Sequence, residues 1–276
     1  NFETGPAERW ISSRLQYIAQ DVATSMEAYR FDQVVQTLHA FSWDEYCSWY
    51  LEIAKIELAD DTLSKARKDG VRQTLVNVLD AALRMLHPIM PFITEEIWQK
   101  LILYLPQHNI KTSALMIASY PEENPDMSDQ VAETQVGAII EMVRAIRNLR
   151  AEFRIQPNQE IEAIVDAPEI FSVIQLEANA ICSLALVKPL TVTPNRARDI
   201  KSDSAQHVSL VLSKCTITIP LGNIVNIEGE KLRLSEEMLE ISTNLDNLSK
   251  RLANQEFLTK APSEVVEKEK QRQNNM

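Results

Sequence analysis

Glycine is scarce in this chain. Only five occur in 276 residues, at positions 5, 70, 137, 222 and 229. None sits in a GxGxxG or GxxxxGKS loop, so no nucleotide-cradling turn is present. Cys47, Cys182 and Cys215 lie far apart, with no CxxC pair and no histidine at ligand spacing. That pattern argues against zinc, and three isolated thiols fit a reducing, cytoplasmic compartment. No apolar run approaches the ~20 residues that span a bilayer, and no signal peptide is seen, so no membrane partner is expected. Basic residues are in deficit, 28 against 39 acidic ones, for a formal charge of −11. Nonspecific binding of DNA is therefore not expected, and any nucleic-acid contact must come from a local basic face. An initiator methionine is also missing: Asn1-Phe2-Glu3 reads as the start of a fragment or a processed chain.

Catalytic groupings are absent as well. His39, His87, His108 and His207 are scattered, and none stands in a Ser/His/Asp or Cys/His setting. His87, ahead of Pro88, reads as a capping or core histidine. Glu95 and Glu96 are neighbours on a helix and point apart, so they serve the positive end of the helix dipole rather than acid–base chemistry. No catalytic residue, metal site or cofactor is expected in this chain.

What is present is helix periodicity. The length allows more than one domain. Ile11, Leu15, Ile18, Val22 and Met26 form one apolar stripe, opened by Pro6 at a first helical turn. Asp32 caps a second helix reaching Ile56, and a third runs from about Ser64 to Leu86. The stretch LRMLHPIMPFITEEIWQ, residues 83–99, breaks that helix at Pro88 and Pro91. Thr94 is placed to cap a restarted helix, and Ile89, Met90, Phe92 and Ile93 read as a buried corner. A connection with Pro106, Pro121 and Pro125 leads to a fifth helix capped by Ser128-Asp129, with Ile139, Met142, Ile146, Leu149 and Phe153 inward.

The period then changes. Residues 161–165 alternate as a half-buried strand, 168–178 read as a helix, Ala185-Leu186-Val187 as a short strand, and 208–212 with 215–219 as a hairpin. In the tail, Leu234, Met238, Ile241, Leu245, Leu248 and Leu252 follow the four-and-three steps of a coiled coil, broken at Pro262 before a shorter second helix. The expected fold is mainly α. It comprises an antiparallel helix bundle over 1–154, a small α+β subdomain over 155–227, and an antiparallel coiled-coil arm over 228–276 whose second helix is short.

Two clusters could carry binding. Arg144, Arg147, Arg150 and Arg154 recur at steps of three and four, within roughly a third of a helix circumference. They form a solvated face or, since a guanidinium fork matches phosphate oxygens, a phosphate-binding stripe. In WDEYCSWY, residues 43–50, Trp43, Tyr46, Trp49 and Tyr50 spread around an α-helix, so they cannot all face one core. Some could stack on unpaired bases. The candidate contacts are Arg144, Arg147 and Arg150 for phosphates and Trp43, Tyr46 and Phe41 for stacking, followed by Arg9, Arg14 and Lys55.

Several stretches together resemble the C-terminal portion of the valyl-tRNA synthetases. They are RWISSRL at 9–15, WDEYCSWYLEIAK at 43–55, the 83–99 stretch, LMIASYP at 115–121 and IRNLRAE at 146–152. More specific is NQEFLTKAPSEVVEKEK at 254–270, similar to that family's C-terminal arm. The resemblance implies a class I anticodon-binding bundle for the anticodon stem-loop of valine tRNA, and an arm reaching the tRNA elbow. It implies a monomer working with catalytic and editing domains that carry the HIGH and KMSKS motifs, ATP and magnesium. Those motifs are absent here, so the chain should be inactive alone. Asn226 departs from the family's Asp before the arm. The alternatives are a helical scaffold dimerising through its coiled coil, or the same region of an isoleucyl enzyme. Against the latter stand the tail and the missing cysteine cluster.

Overall fold

The computed structural model describes residues 2–104, 112–194, 207–221, 227–253 and 266–268. The chain divides into two packing units, 1–220 and 221–276. The fold is mainly α with one small four-stranded sheet.

In the first unit, helix α1 (Pro6–Glu27) is the hub, packing against α2 (Phe31–His39), α4 (Lys65–Leu86) and α6 (Gln130–Glu152). Trp10, Ile11, Ile18 and Val22 form its inner side. Glycine is required at Gly70, where the segment ahead of α1 crosses α4. A Cβ on Gly5 would fall 2.3 Å from the Arg67 guanidinium, and one on Gly70 only 2.1 Å from the Glu3 carbonyl oxygen. The extended N-terminal residues thus lie directly on α4, where Glu3 N–H donates to Ala66 O at 3.2 Å.

Helices α2 and α3 (Leu51–Ala59) are joined by a π-helical segment, Ala40–Tyr50. Its i→i+5 bonding widens each turn and brings residues five apart onto one side. On an α-helix Phe41 and Tyr46 would lie roughly 140° apart. Here both face the core with Trp49 and Tyr50, and the rings of Tyr46 and Tyr50 sit 6.0 Å apart. Trp43 alone of the four WDEYCSWY rings points outward.

Ser64 caps α4 by accepting from Arg67 N–H at 3.0 Å. Helix α5 spans Pro91–Leu101, three residues ahead of the expected Thr94 start. Proline's fixed φ suits a first helical position. Thr94 therefore lies inside the helix and faces inward, its hydroxyl donating to Met90 O at 2.7 Å and lying within hydrogen-bond distance of His87 Nδ1 at 2.8 Å. With Thr94 and Trp98 on the inner side, Phe92 is turned outward and is 90% exposed. The corner expected to be buried is open: Ile89, Met90, Phe92 and Ile93 all face solvent. The local core is instead Leu83, Trp98 and Leu115. Trp98 Nε1 donates to Asp80 at 2.7 Å.

Asp129 caps α6, accepting from Ala132 N–H at 2.9 Å, and Val136, Ile139, Met142, Val143, Ile146 and Leu149 are buried. The sheet has the order β2-β1-β4-β3, formed by β1 (Ile161–Asp166), β2 (Val187–Thr193), β3 (His207–Val211) and β4 (Thr216–Pro220). β1 and β2 are parallel, and β4 pairs antiparallel with the other side of β1 and, in a hairpin, with β3. Between β1 and β2, the single helix expected over 168–178 is two, α7 (Phe171–Leu176) and α8 (Ala178–Ala185). Ala185 ends α8, Leu186 turns at φ 54°, and the strand begins only at Val187. Helix α8 packs on α3, α6 and β2, which seats the sheet against the helices.

The second unit holds α9 (Ile227–Ala253). Met238 and Ile241 of its seam are exposed and Leu248 is buried. The partner helix expected after Pro262 lies outside the described residues, except for a helical turn at 266–268, and so does Asn226.

Candidate nucleic-acid interface

The expected arginine stripe splits in two. Arg144 and Arg147 stand exposed on α6. Their guanidinium carbons lie 5.3 and 5.5 Å from the centroid of the Trp49 ring on the π-segment. A cation over an indole face is held by the ring quadrupole, which fixes the two forks in place without neutralising them. Arg147 Nε also donates to Leu184 O at 2.9 Å, at the end of α8. Among the described residues no carboxylate pairs with Arg144 or Arg147.

Arg150 behaves differently and corrects the expectation. Only 8% exposed, it donates to Gln156 O at 2.9 Å, Leu186 O at 3.4 Å and Pro157 O at 3.5 Å. It ties the end of α6 to the turns around the sheet, and desolvation lowers its pKa. It has no free face for a phosphate. Arg154, at φ 50°, is exposed past the helix end.

Two of the three stacking candidates are likewise core residues. Phe41 is 0% exposed, and Tyr46 donates its hydroxyl to Leu75 O at 3.0 Å, with burial raising its pKa. Neither can meet a base, because the π-helical spacing turns both inward. Trp43, 64% exposed, is available.

The remaining cations carry carboxylate partners. Arg14 makes a two-pronged contact with Glu45, 2.8 Å on each arm, and lies 3.5 Å from Glu133. The Glu45 bond is the chief reason its pKa rises. Arg9 pairs with Asp129 at 3.1 Å, and Lys55 with Glu52 at 2.6 Å on α3. A cavity of about 410 Å³ brings Arg14, Arg144 and Trp49 together with Asp44, Glu45 and Glu133. Its acidic side chains make the cavity a poor phosphate seat. The usable cationic feature is the outer edge bearing Arg144 and Arg147.

Sequence reasoning missed two features. Tyr29 and Phe31 form an exposed edge-to-face pair with centroids 6.2 Å apart. With Val35, His39 and Trp43 they occupy the outer side of α2 and the π-segment. The i, i+4 recurrence of residues 31, 35 and 39 carried that signal, opposite the inner Val34 and Leu38. The other feature is a buried charge cluster. Glu8, fully buried, accepts from Gly5 N–H at 2.9 Å, from Tyr50 Oη at 3.3 Å and from Arg67. Arg67 also reaches Glu57 at 2.5 Å, and Glu177 from the α7–α8 junction is buried close by. Desolvation, then repulsion from Glu8 and Glu177, pushes Glu57 up to about 8. Desolvation and Glu8 push Glu177 to about 7. One guanidinium facing three carboxylates joins α1, α3 and α4 to the sheet side.

Residues 8–165 match the family model described as the anticodon-binding domain of tRNA ligase, and residues 226–276 match that of the valyl tRNA synthetase tRNA-binding arm. The chain belongs to the valyl-tRNA synthetase family. Curated relatives of that family agree along nearly its whole length. A valine–tRNA ligase of Dehalococcoides mccartyi (strain CBDB1) is 36% identical over 263 residues, which are 95% of this chain and 29% of the relative. One of Geobacter sulfurreducens is 37% identical over 270 residues, 96% of this chain and 29% of the relative. One of Thermotoga maritima is 32% identical over 267 residues, 97% and 28%. The chain thus spans less than a third of the length of these relatives. Within the family's anticodon-binding region fall α2 to α6 and all but the ends of α1 and β1, with Trp43, Trp49, Arg144 and Arg147. Within the arm region falls α9. Among the described residues no helix is long and apolar enough to cross a membrane.

Proposed function

We propose that this chain is the tRNA-recognition portion of a cytoplasmic valine–tRNA ligase. The helices of residues 1–154 act as an antiparallel bundle that holds the anticodon stem-loop of valine tRNA. The α+β part, 155–227, buttresses it, and α9 with the residues after it, 228–276, form a coiled-coil arm directed at the tRNA elbow. Valine activation and transfer, with ATP and magnesium, belong to catalytic and editing domains outside this chain. The fragment is inactive alone and works as a monomer.

The observation that supports this reading is the pair Arg144 and Arg147, exposed, held on the Trp49 ring and unpaired by carboxylate among the described residues, in a chain of charge −11. Phosphates position an RNA on such forks, while unstacked anticodon bases supply specificity by stacking and edge hydrogen bonds. Exposed Trp43 and the Tyr29–Phe31 pair provide stacking platforms on the neighbouring π-segment and α2.

Titrating the chain with valine tRNA, and with the same tRNA carrying a changed anticodon, tests the reading. Tighter binding of the unchanged tRNA, weakening steeply with salt, is expected. Equal binding of both, or of neither, contradicts it. Sedimentation as a stable dimer that ignores RNA would favour the scaffold alternative.

A further inference from the structure

Hydrogen-bond acceptors without a donor gather around one cavity of the first unit. The cavity, about 980 Å³, is bounded by the residues ahead of α1, the end of α3, the start of α4, and α7 with α8. Glu57 gives one carboxylate oxygen to Arg67, but its Oε2 is buried without a hydrogen bond among the described residues, and so is Gln135 Oε1 on α6. Glu177, 4% exposed between α7 and α8, also accepts no hydrogen bond among the described residues, although the charges of Glu8 and Arg67 act on it. All three side chains line the cavity. Glu8 is in a different position, because Gly5, Tyr50 and Arg67 satisfy it. A buried acceptor with no donor costs free energy, and water or a ligand ordinarily supplies the missing hydrogen.

Charge narrows what that ligand is. Three carboxylates, Glu8, Glu57 and Glu177, face the single guanidinium of Arg67, so ionisation leaves negative charge in excess. Arg9, also in the lining, is taken by Asp129. Among the described residues no three acidic, histidine or cysteine side chains are grouped as a metal ion would need. An ammonium group carries three donors and no acceptor, and can serve oxygens that a bare ion could not gather. Ile56, Leu63, Val173 and Ala180 add apolar wall suited to a methylene chain. Asp60, half-exposed where α3 ends and three residues beyond Glu57, contributes a further carboxylate, held by Thr62 and Asn179.

We propose that this cleft binds an aliphatic diamine, with one ammonium among Glu57, Glu177 and Gln135 and the other at Asp60. The inference goes beyond the RNA reading and shares no residue with the Arg144–Arg147 edge, so failure of either leaves the other standing.

Calorimetric titration of this chain with 1,4-diaminobutane, without RNA and at fixed ionic strength, tests it near pH 8, where Glu177 at about 7 is mostly ionised. One saturable site is expected. Glu177→Gln keeps the side-chain shape and removes the charge; it should weaken binding at least tenfold without lowering the melting temperature. Asp60→Asn should weaken the diamine at least threefold and leave butylamine, which has one ammonium, unaffected. Magnesium chloride should give no saturable heat. Absence of saturable heat with the diamine would mean that water alone fills the cleft, and would overturn the proposal. Diamine binding that Glu177→Gln leaves within twofold would also overturn it, by placing the amine on the acidic surface at large. So would magnesium binding that Glu177→Gln abolishes. Full diamine affinity in Asp60→Asn would overturn the placement of the second ammonium.

Discussion

Two apolar stretches of this chain, WDEYCSWY and LHPIMPFITEE, have the opposite burial from the one their spacing suggests. WDEYCSWY is too aromatic for one side of an α-helix, yet Tyr46, Trp49 and Tyr50 join Phe41 in the core because the segment is π-helical. LHPIMPFITEE has the composition of a buried corner, yet Pro91 starts α5 early and turns Phe92 away from Trp98. In both, side-chain chemistry is plain in the sequence and helical phase is not. A change of one residue per turn, or of three residues in a helix start, decides which side faces the core.

That contrast can be broken most sharply by truncating one phenylalanine in each stretch or beside it. Phe41→Ala should cost about 3–5 kcal/mol, the usual penalty for emptying a closed aromatic site. Phe92→Ala should stay within about 0.5 kcal/mol, as surface changes do. Urea unfolding of the two variants checks both, and comparable losses would show that α5 is phased differently.

The arginines divide in the same way. Arg150→Ala leaves the carbonyls of Gln156, Pro157 and Leu186 without their donor, and should destabilise the chain by about 1–3 kcal/mol. Arg144→Ala should barely move the melting temperature, yet reduce the salt slope of tRNA binding by about 1. Trp43→Ala should weaken tRNA binding by about 1–3 kcal/mol if a base stacks there, whereas Tyr46→Phe should lose stability and not affinity.

The gentlest effect concerns pH. Glu57 and Glu177, near 8 and 7, lie above the ordinary carboxylate value of 4.5 that they regain on unfolding. Their protonated forms favour the native state, so their contribution is complete below about pH 4.5 and is lost as pH rises through about 8. Thermal unfolding across that range should show the decline, and Glu177→Gln should flatten it. A slope unchanged by Glu177→Gln would mean that Arg67 keeps the site fully ionised.

Much of the architecture is legible where one period runs unbroken. The stripes of α1, α4 and α6, the Asp129 cap, β1 and the β3–β4 hairpin lie where alternation or three-and-four spacing puts them. Leu186 reads as strand in the sequence because nothing in its side chain signals a left-handed turn. The cluster of Glu8, Glu57, Arg67 and Glu177 is invisible there for another reason: its members are up to 169 positions apart and meet only through packing. Of the proposed contacts, the exposure of Arg144 and Arg147 can be read from the helical wheel, whereas that of Trp43 depends on the π-helical phase. The burial of Arg150 depends on carbonyls beyond the helix end.

The most direct measurement reverses charge at Arg144 and Arg147 together, as Arg144→Glu and Arg147→Glu, and titrates the variant with valine tRNA. A loss of binding of at least tenfold at moderate salt, with an unchanged melting temperature, is predicted. Binding within twofold of the unaltered chain would contradict the account.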